Sequence, residues 1–162
     1  MSIMVIDIKD RVEPTKKDRA SSKCQSKVLL VSKEESLRTF EARICHEVGF
    51  EVIHARWGDE ALELYKEYRP FIAVITDLLY DWSDWRLAMR GDGKSVKNGL
   101  QLAVAIRRLN RKQRIVIQTY AAMDHVSKNL TRDLAGVHIL RKPFRPEELS
   151  LLLKGTDAKQ AG

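Results

Sequence analysis

Apolar and polar positions fall into alternating blocks along the chain. Val28-Leu29-Leu30-Val31 is a short apolar run of the kind that forms a buried parallel strand. Ser32 and Glu35 follow at capping-box spacing and predict a helix start. Leu37, Phe40, Ile44 and Val48 then recur at helical intervals, and Gly49 ends the segment. Glu51 to Ala55 reads as a second strand. Asp59 to Tyr68 reads as a helix, with Ala61, Leu62, Tyr65 and Tyr68 on one face and Pro70 beyond its end. Phe71 to Ile75 is the most apolar run, which suits a central strand. Gly99 to Leu109 carries Leu102, Val104, Ile106 and Leu109 and predicts a third helix. Ile115 to Ile117 predicts a fourth strand, Ala121 to Leu134 a weaker helix, and Val137 to Leu140 a fifth strand. Pro146 suits the first turn of a last helix running to Lys154.

Five strands alternating with five helices predict an α/β fold. Right-handed crossovers give a doubly wound parallel sheet covered on both faces. Such sheets bind ligands at the carboxyl ends of their strands. The polar residues that follow the strands therefore matter most. They are Ser32 and Lys33 after the first, Asp77 after the third, Thr119 after the fourth and Lys142 after the fifth. One carboxylate, two ammonium groups and two hydroxyls on one edge suit a phosphoryl group.

Composition narrows the class. The chain has 162 residues, 44 % hydrophobic and 31 % charged, which is ordinary for one globular domain. No apolar run approaches the about 20 residues of a membrane span. The start of the chain lacks the apolar stretch of a signal peptide. Between Lys9 and Lys23 stand six basic and three acidic residues, so residues 1–26 read as a solvated tail. Residues 27–154 form the domain and 155–162 a short second tail, too short for an output domain. Cys24 and Cys45 cannot build a disulfide framework, which fits a cytoplasmic protein. His46, His54, His125 and His138 have no paired metal spacing, so a zinc site is not expected. The formal charge of +7 reads as scattered over a solvated surface.

These residues resemble the receiver domain of two-component response regulators, of the chemotaxis-regulator type. The carriers are Val28-Leu-Leu-Val31, Pro70-Phe-Ile-Ala-Val-Ile-Thr-Asp77, Asn98-Gly-Leu-Gln-Leu102 with Ile106-Arg107, Thr119, and Lys142-Pro143-Phe144. The resemblance covers residues 27–154. It implies a flavodoxin-like five-stranded sheet of order 2-1-3-4-5. It implies that Asp77 is the phospho-acceptor, that Thr119 and Lys142 contact the phosphate, and that the Lys142–Pro143 bond is cis. It also implies a histidine kinase or phosphotransfer protein as donor, and a downstream protein partner.

The sequence departs from the family in three places. The acidic pair that holds Mg²⁺ after the first strand is replaced by Ser32 and Lys33. Asp77, Lys33 and Lys142 sum to +1, where the family site is net negative. An opposite unit charge at about 4 Å is worth roughly 4 kcal/mol at an effective dielectric of 20. Asp77 alone makes a weak Mg²⁺ site or none. Lys33 can take the metal's place, or point to solvent. Glu34 or Glu35 is a substitute acid, with Asp81 and Asp84 further candidates. Second, 22 positions separate Asp77 from Gly99, so residues 78–98 hold an insertion containing Trp82 and Trp85. Those tryptophans either pack on their own domain or contact a partner. Third, the switch position is Ile139 rather than an aromatic residue, and Tyr120 follows the hydroxyl residue.

Three functions remain open on sequence grounds. The first is a stand-alone receiver, not an enzyme in the ordinary sense, that signals by protein contact. The second is a pseudo-receiver that binds partners without phosphorylation. The third, least favoured because no recognition motif supports it, is a basic nucleic-acid-binding protein.

Overall fold

The computed structural model describes residues 26–80, 95–120 and 135–155. Five strands are formed: β1 (Lys27–Val31), β2 (Glu51–Ala55), β3 (Ala73–Asp77), β4 (Ile115–Thr119) and β5 (Val137–Arg141). They build one parallel sheet of order β2-β1-β3-β4-β5. The most apolar strand, β3, is central and buried throughout. Four helices are described: α1 (Glu35–Val48), α2 (Gly58–Tyr68), α3 (Gly99–Leu109) and α4 (Pro146–Lys154). The fifth predicted helix, the 1–25 tail, Cys24, and Asp81, Trp82, Asp84 and Trp85 of the insertion lie outside the described residues.

Strand alternation divides the core in two. Val28, Leu30, Ala73, Ile75 and Val116 pack under α1 and α4. Leu29, Val31, Val74, Ile115 and Ile117 pack under α2 and α3. The period-2 pleat then fixes the polar residues that follow. Asp77 continues the row of Ala73 and Ile75, and Gln118 the row of Val116, so both face α1.

Two local predictions shift. The third strand runs Ala73–Asp77, so Asp77 is its last residue rather than the residue after it. Ser32 does not cap α1. Glu34 holds the cap position, with no side-chain cap bond, and Ser32 is fully buried. Its hydroxyl is drawn instead to Asp77 of the neighbouring strand. The buried face of α1 is also turned from the predicted one. Glu41, Ala42, Ile44 and Cys45 are inside, while Phe40 is 38 % exposed and packs its ring against Phe144.

The insertion is pinned at both ends. Leu79 bridges Asn98 in antiparallel fashion, and Val96 N–H donates to Asp59 Oδ1 at 2.8 Å. Asn98 caps α3 by accepting from Gln101 N–H at 2.9 Å. Gly99 N–H donates to Leu78 O at 2.9 Å, so the start of α3 lies on the backbone just past Asp77. A Cβ at Gly99 would stand 2.1 Å from the Asp77 carbonyl oxygen.

Glu41 is the anomaly of the core. It is completely buried, and burial and the nearby charge of Asp77 push its carboxyl up to about 8. Burial and, after it, the charge of Glu41 push the Cys45 thiol up to about 12.

Two predictions follow from this packing. Gly99→Ala must displace the Asp77 backbone and is expected to cost about 1–3 kcal/mol in urea unfolding. An unchanged midpoint would contradict the contact. For Glu41, the folded protein holds a proton between about pH 4.5 and 8 that the unfolded chain releases. Stability from this group is therefore full below pH 4.5 and lost as pH rises to about 8. Denaturation across that window should show the decline in the wild type and its loss in Glu41→Gln. Equal slopes in the two proteins would refute it.

Candidate functional site

The strand register carries the site residues to one edge. Val31 pairs with Thr76, so Ser32 comes level with Asp77. Asp77 pairs with Gln118, so Thr119 lies one step beyond it on the next strand. Thr119 pairs with Arg141, which sets Lys142 just past the sheet edge. The Lys142 N–H donates to Thr119 O at 2.9 Å, and the Lys142–Pro143 peptide is cis, as the resemblance implies.

Asp77 is 6 % exposed, and both of its carboxylate oxygens have a partner. Lys142 Nζ stands 2.8 Å from Oδ1. Ser32 Oγ donates to Oδ2 at 2.5 Å. Ser32 Oγ also accepts from Glu34 N–H at 3.3 Å, and Arg38 donates to Ser32 O at 2.6 Å. A hydroxyl bond on one oxygen and an ion pair on the other fix the direction of a buried carboxylate. The buried pair is broken only at high cost, because a lone charge would remain.

Above the pair lies a cavity of about 290 Å³, lined by Lys33, Glu34, Asp77, Leu78, Leu79, Tyr80, Gln118, Thr119, Tyr120 and Lys142. Among the predicted site residues, Lys33 and Glu34 line this cavity from exposed positions. Glu34 spends a carboxylate oxygen on the Ser36 hydroxyl at 3.2 Å. Glu35 opens α1 on the surface and does not line it. Tyr120 is 57 % exposed, and its ring lies against Lys142, with Nζ 4.9 Å from the centroid. Ile139 sits on the edge strand, 36 % exposed and away from the cavity lining.

Three residues that the sequence reading passed over belong to this neighbourhood. Tyr80 is buried, and its hydroxyl shares a 2.7 Å hydrogen bond with Thr76. Burial holds the Tyr80 phenol above its ordinary range. Glu41 lies beneath Asp77, close enough to feel its charge and that of Lys142. Gln118, fully buried, faces it and restrains the loss of its acidity. Helical spacing held the signal for Glu41, since position 41 falls four residues from both Leu37 and Cys45. Alternation held it for Gln118, two residues after Val116 in an otherwise apolar strand.

Among the described residues the donor set at this edge does not suit Mg²⁺. That ion wants several hard oxygens in near-octahedral array. Among the described residues no cluster of three His, Cys, Asp or Glu side chains could hold a metal. The two oxygens of Asp77 face a hydroxyl proton and an ammonium group. What the edge offers is a carboxylate, two cations and a hydroxyl around an open space.

No family model and no curated protein matches the chain. Solved structures do. The chemotaxis protein CheY4 of Vibrio cholerae is 25 % identical, with a TM-score of 0.63 over 80 % of this chain and 97 % of that one. A response regulator receiver domain protein of Clostridium thermocellum is 18 % identical, with a TM-score of 0.64 over 84 % and 97 %. A response regulator of Burkholderia pseudomallei, solved with a phosphorylated aspartic acid, is 23 % identical, with a TM-score of 0.65 over 85 % and 71 %. The strand order β2-β1-β3-β4-β5 and the helices on both faces are those of this group: the chain has the fold of response regulator receiver domains.

Proposed function

We propose that the protein is a signalling receiver that accepts a phosphoryl group on Asp77. The observation that carries this is the placement of one buried carboxylate at the end of the central strand. Lys142 stands 2.8 Å from it, and both it and Thr119 line the cavity above. Acceptance requires an Asp77 oxygen to attack phosphorus while the bond to the donor's leaving group breaks and that group keeps the electron pair. The chain's share is to position the carboxylate and to answer charge on the phosphoryl oxygens. Lys142 and Thr119 do so from the sheet edge, and Lys33 from the loop after β1. Lys33 thereby stands in for the cation that an acidic pair would have held. Donors are a histidine kinase or a phosphotransfer protein, and the output is contact with another protein. On this reading the chain is not an enzyme in the ordinary sense and works in the cytoplasm. Among the described residues no helix is long and apolar enough to cross a membrane.

The readout differs from the usual one. Ile139 offers no aromatic ring, whereas Tyr120 lies against the Lys142 ammonium. A phosphoryl group that draws Lys142 toward itself releases Tyr120 at the surface.

One observation favours a second reading. The Ser32 hydroxyl and Lys142 together occupy both Asp77 oxygens. A carboxylate so held can serve as a structural pin, and the domain then binds partners without phosphorylation.

Intact-mass analysis after incubation with a small acyl phosphate separates the two. The receiver reading expects the mass of one phosphoryl group, gained even with a divalent-cation chelator and absent in Asp77→Asn. Lys142→Ala should slow the gain about 100-fold, the order of loss for one removed charge-stabilising donor. No adduct under any condition leaves the binding module.

A further inference from the structure

Part of the positive charge that reads as scattered along the sequence forms a cluster at one end of the fold. Arg107 to Arg114 spans the end of α3 and the turn into β4, and five of its eight residues are cationic with none acidic. Lys154, at the end of α4, joins them. This is the foot of the sheet, where the strands begin, opposite the Asp77 edge.

The ordinary use of such cations is to cap helix carboxyl ends. Arg114 is spent in that way, and Arg107 on the carbonyls of two turns. Arg107 Nη1 donates to Ala135 O at 2.8 Å and to Arg111 O at 3.2 Å. Arg114 Nη1 donates to Leu152 O at 2.6 Å. Arg108, Arg111, Lys112 and Lys154 are not. All four are exposed, and none forms an ion pair with a carboxylate among the described residues. Lys112, Arg114 and Lys154 line a second cavity of about 310 Å³ with Asn110, and no carboxylate lines it. A concave wall that carries cations, with no counter-charge among the described residues, fits a projecting anionic ribbon. A flat anionic bilayer would not reach its inner surface.

We propose that this foot binds duplex nucleic acid through its phosphate backbone, without reading bases. Arg108, Arg111, Lys112 and Lys154 supply the contacts, with arginine suited to two-pronged bonds to phosphate. The surface is separate from the Asp77 site, so it holds whichever reading of that site is right.

The test is fluorescence anisotropy of the full chain with a labelled mixed-sequence duplex across a salt series. About four phosphate contacts give a roughly 100-fold loss of affinity between 50 and 200 mM salt. A scrambled duplex should bind equally. The exposed pair Lys112→Glu/Lys154→Glu should lose most of the binding, as should Arg108→Glu/Arg111→Glu, while Asp77→Asn keeps it. Urea unfolding of each variant confirms that the fold is intact. Three results overturn the proposal: no binding at 50 mM salt, binding indifferent to salt, or full binding by both charge-reversal variants, which would assign it elsewhere on the chain. Capture by phosphatidylserine vesicles with no duplex binding also overturns it, in favour of a membrane surface.

Discussion

A carboxylate at the end of a central, fully buried strand is tenable only if its charge is answered in place. Asp77 is answered twice, by Lys142 at 2.8 Å and by the Ser32 hydroxyl at 2.5 Å. These bonds tie β1, β3 and the turn after β5 together at one edge. They fix the direction of the Asp77 oxygens and leave a cavity above them. The core supports this arrangement through register, because a one-residue slip would turn Asp77 to the other face. The close approach of Gly99 to the Asp77 backbone holds the segment beyond β3 in the same way.

Ser32 and Lys33 change the electrostatics of such an edge. Two carboxylates beside Asp77 would repel it and call for a divalent cation. A hydroxyl and two ammonium groups instead leave the site neutral to positive. Charge of the opposite sign stands lower, in Glu41, whose carboxyl is pushed up to about 8 beneath the same strand ends. Burial keeps this second acid mostly protonated at neutral pH, so it adds little negative charge to Asp77 there. The site's balance is thus set by neutral acid below, fixed carboxylate in the middle and cations above.

Much of this was legible in the sequence, and for physical reasons. The apolar runs of β1 and β3 are strong because a parallel strand is buried on both faces. The strand ends then named Asp77, Thr119 and Lys142. What was not legible depended on partners distant in sequence. Ser32 had the spacing of a helix cap, but its hydroxyl serves Asp77, 45 residues away. Phe40 looked like core and lies at the rim, partly exposed, while the charged Glu41 lies inside. Helical spacing placed Ile44 correctly in the core, but hydrophobicity put Phe40 there too and passed over Glu41. The basic run Arg107 to Arg114 stood in the sequence, but its meeting with Lys154 at one end depended on the packing of α4.

The central claim is that Asp77 is the acceptor. The most direct measurement locates the modified atom rather than the added mass. Borohydride reduces an acyl phosphate to a primary alcohol, so an aspartyl phosphate becomes homoserine. Reduction after treatment with a small acyl phosphate, followed by digestion and peptide sequencing by mass spectrometry, reads the position. The account predicts homoserine at position 77 alone. Reduction at Glu34 or Glu35, or no reduced residue at all, would contradict it.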